Sequence, residues 1–166
     1  MLNYRKIPEL FIVFVSVFGV MGFEAKASII LIDSTLVYQI SPSVSVFEDT
    51  TAGLELDSVL KMGEKAFSKT ASRQIPNLGF SRSAFWLQFE LKDSSANQKE
   101  WVLDVAMPSL HQIDYHIMVD STVISSGRTG FIVDKNSRPT PYRNPSVEFS
   151  GQPGKAIKAY MRVQSE

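Results

Sequence analysis

The sequence contains no cysteine and only two histidines among its 166 residues. The absence of cysteine excludes disulfide bonds and thiolate metal ligands. His111 and His116 lie five residues apart around the start of a predicted strand, where alternation directs them to opposite faces. The sequence therefore predicts no metal site, and its stability must come from a hydrophobic core, for which a chain of this length suffices.

An excess of basic charge is also lacking, because 17 Lys and Arg residues balance 17 Asp and Glu residues. A surface that binds nucleic acid carries a basic excess or a basic stripe, so no nucleic-acid partner is predicted. The sequence has no glycine-rich phosphate loop, no Gly-x-Ser-x-Gly elbow and no His-Glu-x-x-His pair. We therefore expect no enzymatic activity and no cofactor.

The long apolar run of the sequence lies near its start, at residues 10–23. Arg5 and Lys6 precede this run, and Ala25-Lys26-Ala27 follows it as a small-x-small cleavage signature. This pattern predicts a removable signal peptide over residues 1–27. The alternative, an uncleaved membrane anchor, is disfavoured because a run of 14 residues is shorter than the roughly 20 that a spanning helix needs.

The mature chain would then comprise residues 28–166, exported to the periplasm or to the outer face of the inner membrane. Removal of the signal peptide leaves 14 basic and 15 acidic residues.

The rest of the sequence is dominated by apolar and polar residues in alternation, which is typical of half-buried β-strands. The predicted strands are 28–32, 36–40, 43–47, 84–91, 101–106, 112–119, 122–124, 146–149 and 157–164. Helical spacing occurs only over residues 54–67, with Thr51 or Asp57 as a possible N-terminal cap. Residues 68–79 and 125–144 are predicted loops, and Asp120-Ser121 is a predicted hairpin turn. The pattern predicts an all-β fold, an antiparallel β-sandwich or jelly roll with one short helix.

One strand face combines aromatic and hydrogen-bonding side chains. In the strand 84–91 the odd positions are apolar, whereas Trp86, Gln88 and Glu90 lie on the other face. Tyr160 and Arg162 have the same character in the last strand. Because sugars present apolar C–H faces and a rim of hydroxyls, we predict ligand binding by Trp86, Gln88, Tyr160 and Arg162. The alternative is that Trp86 and Tyr160 lie under the second sheet or an overlying loop.

Three further groups of residues have simpler explanations beside a functional one. Arg138, with Tyr142 and Arg143, is a second predicted ligand-binding set that suits a carboxylate or phosphate, although surface solubility explains it equally well.

Asp114 and His116 share a strand face, which solvent exposure explains without metal binding or proton transfer. Glu48 and Asp49 provide two carboxylates, too few for the six or more oxygens that calcium takes.

Several segments occur in an order that is found in a known family. They are Phe-Glu-Asp (47–49), Asn-Leu-Gly-Phe (77–80), Ser-Ala-Phe-Trp-Leu-Gln-Phe (83–89), Trp-Val-Leu-Asp-Val (101–105), Thr-Gly (129–130) and Tyr-Met-Arg-Val-Gln-Ser (160–165). Their order and spacing resemble the type-two extracellular domain of the 7TMR-DISM receptors, bacterial membrane sensors in which an outer domain precedes seven helices and an intracellular signalling module.

The resemblance implies a jelly roll similar to carbohydrate-binding modules and a role in sensing small molecules or sugars. It also implies a partner, either the membrane-embedded signalling region of a longer receptor or a separate protein. The sequence has no later apolar run of membrane-spanning length, so we expect a fragment that is truncated at its C-terminal end. The alternative function is a structural or protein-interaction module that docks a periplasmic partner through the same face or through an unfinished sheet edge.

Overall fold

The computed structural model describes residues 28–69, 81–138, 140 and 142–164. The predicted signal peptide, the 77–80 motif and Ser165 lie outside the described residues.

The described residues form nine strands and one α-helix, which confirms the all-β prediction. The strands are β1 (Ile29–Leu31), β2 (Ser45–Asp49), β3 (Ser68–Lys69), β4 (Ala84–Asp93), β5 (Glu100–Asp104), β6 (Gln112–Val119), β7 (Thr122–Thr129), β8 (Ser146–Ser150) and β9 (Ala156–Gln164). The helix, α1, spans Leu56–Met62, and a 3-10 turn at Glu64–Ala66 follows it.

The strands form two sheets of unequal size. The large sheet has the order β3-β2-β4-β9-β6-β7, and the short strand β1 runs parallel beside β4. The second sheet contains β5 and β8, paired antiparallel. Because most pairs in the large sheet are antiparallel and the two sheets enclose a core, the fold is the antiparallel sandwich that the alternation predicts.

The core between the sheets contains the inner side chains of both layers. Its buried members include Phe89, Leu91, Leu103, Ile113, Tyr115, Ile117, Val147, Phe149, Ile157, Ala159, Met161 and Val163. Phe85 and Leu87 have the predicted inward direction, yet they are only half-buried. The reason is that the two-stranded sheet covers only part of the inner face of its larger partner.

The opposite face of the large sheet is covered by α1 and its flanking segments. Trp86, Tyr160 and Met118 form a second apolar cluster with Val59 of the helix. Partly buried residues complete it, namely Phe47, Leu54, Leu56, Leu60 and Phe67. Trp86 is 1% exposed, Gln88 0% and Tyr160 6%. The alternative that these rings lie under an overlying segment is therefore observed, because the helix places its apolar stripe on them.

Three local predictions are also corrected. Residues 36–40 form no strand and run as coil beside the core, with Tyr38 and Ile40 packed against it. Residues 125–129 are strand, not loop, because backbone pairing with β6 holds this polar edge segment. Glu55, rather than Thr51 or Asp57, precedes the first turn of α1, and it makes no side-chain cap.

Candidate binding site

The four predicted sheet-face residues are brought together by the pairing of β4 with β9. Trp86 lies directly opposite Arg162, and Gln88 lies opposite Tyr160. The amide Nε2 of Gln88 donates to the Tyr160 hydroxyl at 3.3 Å. The predicted constellation therefore exists, but beneath α1 rather than at the surface, and its role in binding a ligand stays a prediction.

Arg162 connects this buried layer to its edge. One guanidinium nitrogen donates to the carbonyl of Ala52 at 2.6 Å, and the other donates to Asp114 Oδ2 at 3.3 Å. Asp114 also accepts from Arg128 Nε at 2.5 Å and from Gln112 Nε2 at 2.9 Å. This network fixes the segment that leads into α1 against the sheet.

The charges around Asp114 change its pKa. Burial by itself raises the pKa of Asp114, but the hydrogen bonds from Arg128 and Gln112 and the charges of Arg128 and Arg162 together bring it below its usual value. The carboxylate is thus ionised and fully engaged in structural bonds at neutral pH.

His116, which shares the face of Asp114, stacks on the Trp86 ring with centroids 6.3 Å apart and an angle of 18° between the planes. Burial lowers the pKa of His116 below its usual 6.5, although the negative charges of Asp114 and Glu55 oppose this shift. The imidazole is therefore neutral at neutral pH, and it packs as an aromatic ring.

The other predicted residues lie elsewhere. Arg138 donates to the carbonyls of Val133 and Phe131, at 3.1 and 3.2 Å, and so stabilises its own loop. Glu48 accepts from the Ser83 hydroxyl at 2.7 Å. Asp49 accepts from the Leu54 N–H and from the backbone and hydroxyl of Thr51. Both carboxylates of the candidate calcium pair are thus occupied by protein donors.

The feature that the sequence did not indicate is a cavity of about 980 Å³ between the two sheets. Its wall is mostly apolar and includes Tyr38, Phe85, Leu87, Trp101, Leu103 and Met161. The Tyr38 and Trp101 rings meet edge to face, with centroids 5.9 Å apart. The polar residues that line it are Gln39, Ser41, Asp104, Ser109 and His111.

In the part of the chain that the structure describes, β5 and β8 leave one side of the inner face uncovered, and the cavity lies there. Strand alternation identifies which side chains point inward, but it carries no information on how many strands each layer receives. The apolar segment 36–40, whose strand prediction is wrong, was the one sequence signal near this site, since it lines the cavity as coil.

Among the described residues, no group of three or more His, Asp or Glu side chains is arranged to hold a metal ion. Within the same part of the chain, no helix combines the length and apolar character needed to cross a membrane.

The fold and the cavity together define an all-β sandwich domain with an apolar chamber between its layers. Residues 41–166 match the family 7TMR-DISM extracellular 2, and the chain belongs to that family. No curated protein matches the chain. Family membership makes the chain an extracellular sensor domain of a receptor, which confirms the resemblance and links the domain to a membrane receptor region.

Proposed function

We propose that this domain recognises a small molecule or carbohydrate for a bacterial transmembrane signalling receptor, in the periplasm or at the outer face of the inner membrane, without catalysing a reaction. The observation that carries the proposal is the inter-sheet cavity in a domain of a sensor family. Ligand pockets commonly have volumes of roughly 300–1,000 Å³ and combine apolar walls with a few polar groups.

The energetics of the cavity support an occupant. An empty, sealed apolar cavity costs about 24 cal/mol per Å³, so a sealed cavity of 980 Å³ would cost about 24 kcal/mol. That cost exceeds the roughly 5–15 kcal/mol by which a whole domain is stable. A chamber of this size is therefore tolerated only if it is open, and a ligand with apolar faces gains free energy by displacing water from it.

The cavity suits ligands with large apolar faces. The rings of Tyr38, Phe85 and Trp101 offer surfaces for the C–H face of a sugar or for another flat apolar group. Gln39 and His111 supply hydrogen-bonding groups for its polar rim.

A ligand panel with thermal unfolding as the measurement tests this proposal. Oligosaccharides, amino acids and organic acids are added to the protein, and a ligand at about 100 times its Kd adds about 2.7 kcal/mol of stability. We expect Tm to rise by several degrees with at least one class. A panel without any shift would contradict ligand sensing and favour partner docking.

A cavity-filling variant locates the site. Leu87→Trp fills the chamber from β4 and should abolish the ligand-induced rise in Tm. The matched control is Val123→Trp, which adds the same side chain at an exposed position of β7 and should keep the rise. An unchanged rise in Leu87→Trp would place the ligand outside the cavity.

A further inference from the structure

Within the described part of the chain, one edge of strand β5, beside the cavity, is not paired with another strand. Among the described residues, its one strand neighbour is β8. Gly151 N–H donates to the Lys99 carbonyl, and Val105 N–H donates to the Pro145 carbonyl, at the two ends of this pairing. These bonds identify the odd-numbered residues as the hydrogen-bonded positions of the ladder.

The even-numbered residues therefore direct their backbone groups away from β8. In an antiparallel pair, hydrogen-bonded and non-hydrogen-bonded positions alternate, so Glu100, Val102 and Asp104 present their N–H and C=O groups to the other side. No backbone hydrogen bond joins this edge to the coil 36–40 in the part of the chain that the structure describes. An unpaired strand edge of this kind is a template for another strand.

Apolar side chains surround this edge. Leu36 is 86% exposed and Val37 85%, and both line the cavity together with the exposed Val102 and Met107. The inner side chains of β5, such as Leu103, point into the same chamber. A strand laid against the edge would place every second side chain in the cavity mouth and would cover the exposed rim.

The outward face of the second sheet carries three carboxylates, and Arg143 lies at its border with Val102 and Asp104. Glu100 and Asp104 flank Val102 on β5, and Glu148 lies opposite Val102 on β8. Their partners are neutral, since the Ser150 hydroxyl donates to Glu100 at 2.6 Å and the Asn144 amide donates to Asp104 at 3.1 Å. None of the three carboxylates has an ion-pair partner among the described residues.

We propose that the β5 edge binds an extended segment of a separate polypeptide in which large apolar side chains alternate with Lys or Arg. The backbone of the segment pairs with Glu100, Val102 and Asp104, its apolar side chains enter the cavity mouth, and its basic side chains lie beside the carboxylates. This interaction goes beyond ligand sensing, because it uses the backbone edge and the outer charges of the second sheet.

The test uses a peptide of about eight residues in which lysine and valine alternate, with blocked ends and a fluorescent label. Its binding to the protein is followed by fluorescence anisotropy. Val102→Pro removes an N–H that faces the free edge without removing a bond to β8, so binding should weaken at least about tenfold. The matched control Val102→Thr keeps the N–H and should bind within about threefold.

Two further comparisons use the unchanged protein. Methylation of alternate backbone nitrogens in the peptide should abolish binding if the ladder forms, and this result stands even if Val102→Pro impairs folding. Replacement of every lysine by glutamate should weaken binding at least about tenfold because the outer face carries these carboxylates.

Each contrary result overturns the proposal. If the methylated peptide binds as tightly as the unmethylated one, the backbone argument fails. If the glutamate peptide binds as tightly as the lysine peptide, the charge argument fails. Absence of binding at about 1 mM peptide would show that the β5 edge does not bind a segment of this kind. A dimer of this chain that Val102→Pro dissociates would show that a second copy, not a separate polypeptide, occupies the edge. Ligand sensing is judged separately, since the thermal shift and its loss in Leu87→Trp do not depend on the peptide.

Discussion

Trp86 shows how a side chain that suits ligand binding in the sequence can lie buried beneath a helix in the fold. Its place beside Gln88 and opposite Arg162 follows from strand periodicity and pairing. The environment of the ring does not follow from periodicity, because it depends on α1 and on the stacked imidazole of His116, which pack against the ring. An aromatic ring in such a position contributes mainly through buried apolar area.

Substitution of this ring should reduce stability. We expect Trp86→Ala to lower the free energy of unfolding by about 3–5 kcal/mol, because it leaves a large hole under the helix. Trp86→Phe should cost only about 1–2 kcal/mol, since the indole Nε1 has no hydrogen-bond partner among the described residues. Urea unfolding measures both. If the Trp86→Ala protein stays stable but binds the ligand more weakly, the ligand binds at this face of the sheet instead.

His116 should make stability depend on pH. Its pKa is lowered in the folded state, so below 6.5 the unfolded chain takes up the proton first and stability falls until the folded-state pKa is passed. Above 6.5 both states are neutral and the contribution is constant. We expect His116→Gln to show a smaller fall in urea-unfolding free energy between about pH 7.5 and 5.5 than the unchanged protein.

Asp114 affects stability in a different, lower range of pH than His116. Because its pKa is lowered from 3.8, the stability that it gives is present above that value and is lost as the pH falls through its folded-state pKa. An identical fall between neutral and mildly acidic pH in His116→Gln would therefore mean that another group causes it.

The hairpin between β6 and β7 is an element that the sequence predicted correctly. Asp120 and Ser121 have φ angles of 48° and 69°, the left-handed values that a two-residue hairpin turn requires. Thr122–Thr129 then pairs with β6, with an irregularity between Ile117 and Met118. Residues 125–129 of this strand are polar, and their sequence predicts a loop. The turn was recognisable from local chemistry, whereas the strand after it depends on its partner.

This turn offers a stabilising substitution. Ser121→Gly should raise the free energy of unfolding by about 0.5–1 kcal/mol, because glycine adopts a positive φ without the cost that a side chain adds. Ser126→Gly, in the extended part of β7, is the control and should lower it by a similar amount. Thermal unfolding of the two variants compares them, and a loss of stability in Ser121→Gly would contradict the turn geometry.

The whole chain is expected to lose its first 27 residues on export. Mass spectrometry of the exported protein should find Ser28 at the N-terminus. Ala27→Arg places a large charged side chain at the cleavage position and should leave the leader attached, whereas Ser28→Ala should be processed normally. Recovery of the unchanged protein with residues 10–23 still present would favour a membrane anchor.

The number of strands in each layer decides where this molecule can bind anything. Among residues 28–69, 81–138, 140 and 142–164, the helix covers the aromatic face, and the small second sheet leaves the cavity and the β5 edge open. The sequence of a single strand does not indicate this arrangement, since each strand has the pattern of an ordinary half-buried strand. The surfaces that we propose for binding are therefore a property of the layers of the domain.

The amino-acid sequence by itself determined the all-β class, the central strands β4, β6 and β9, the short helix and the resemblance to the sensor family, because period-two alternation and turn residues are local signals. Only the tertiary structure decided that Trp86, Gln88 and Tyr160 lie under α1, that residues 36–40 remain unpaired, and that a cavity opens between the sheets. The physical reason is that burial and strand pairing depend on which distant segment packs against each face of a strand. Alternation shows only which side chains share a face.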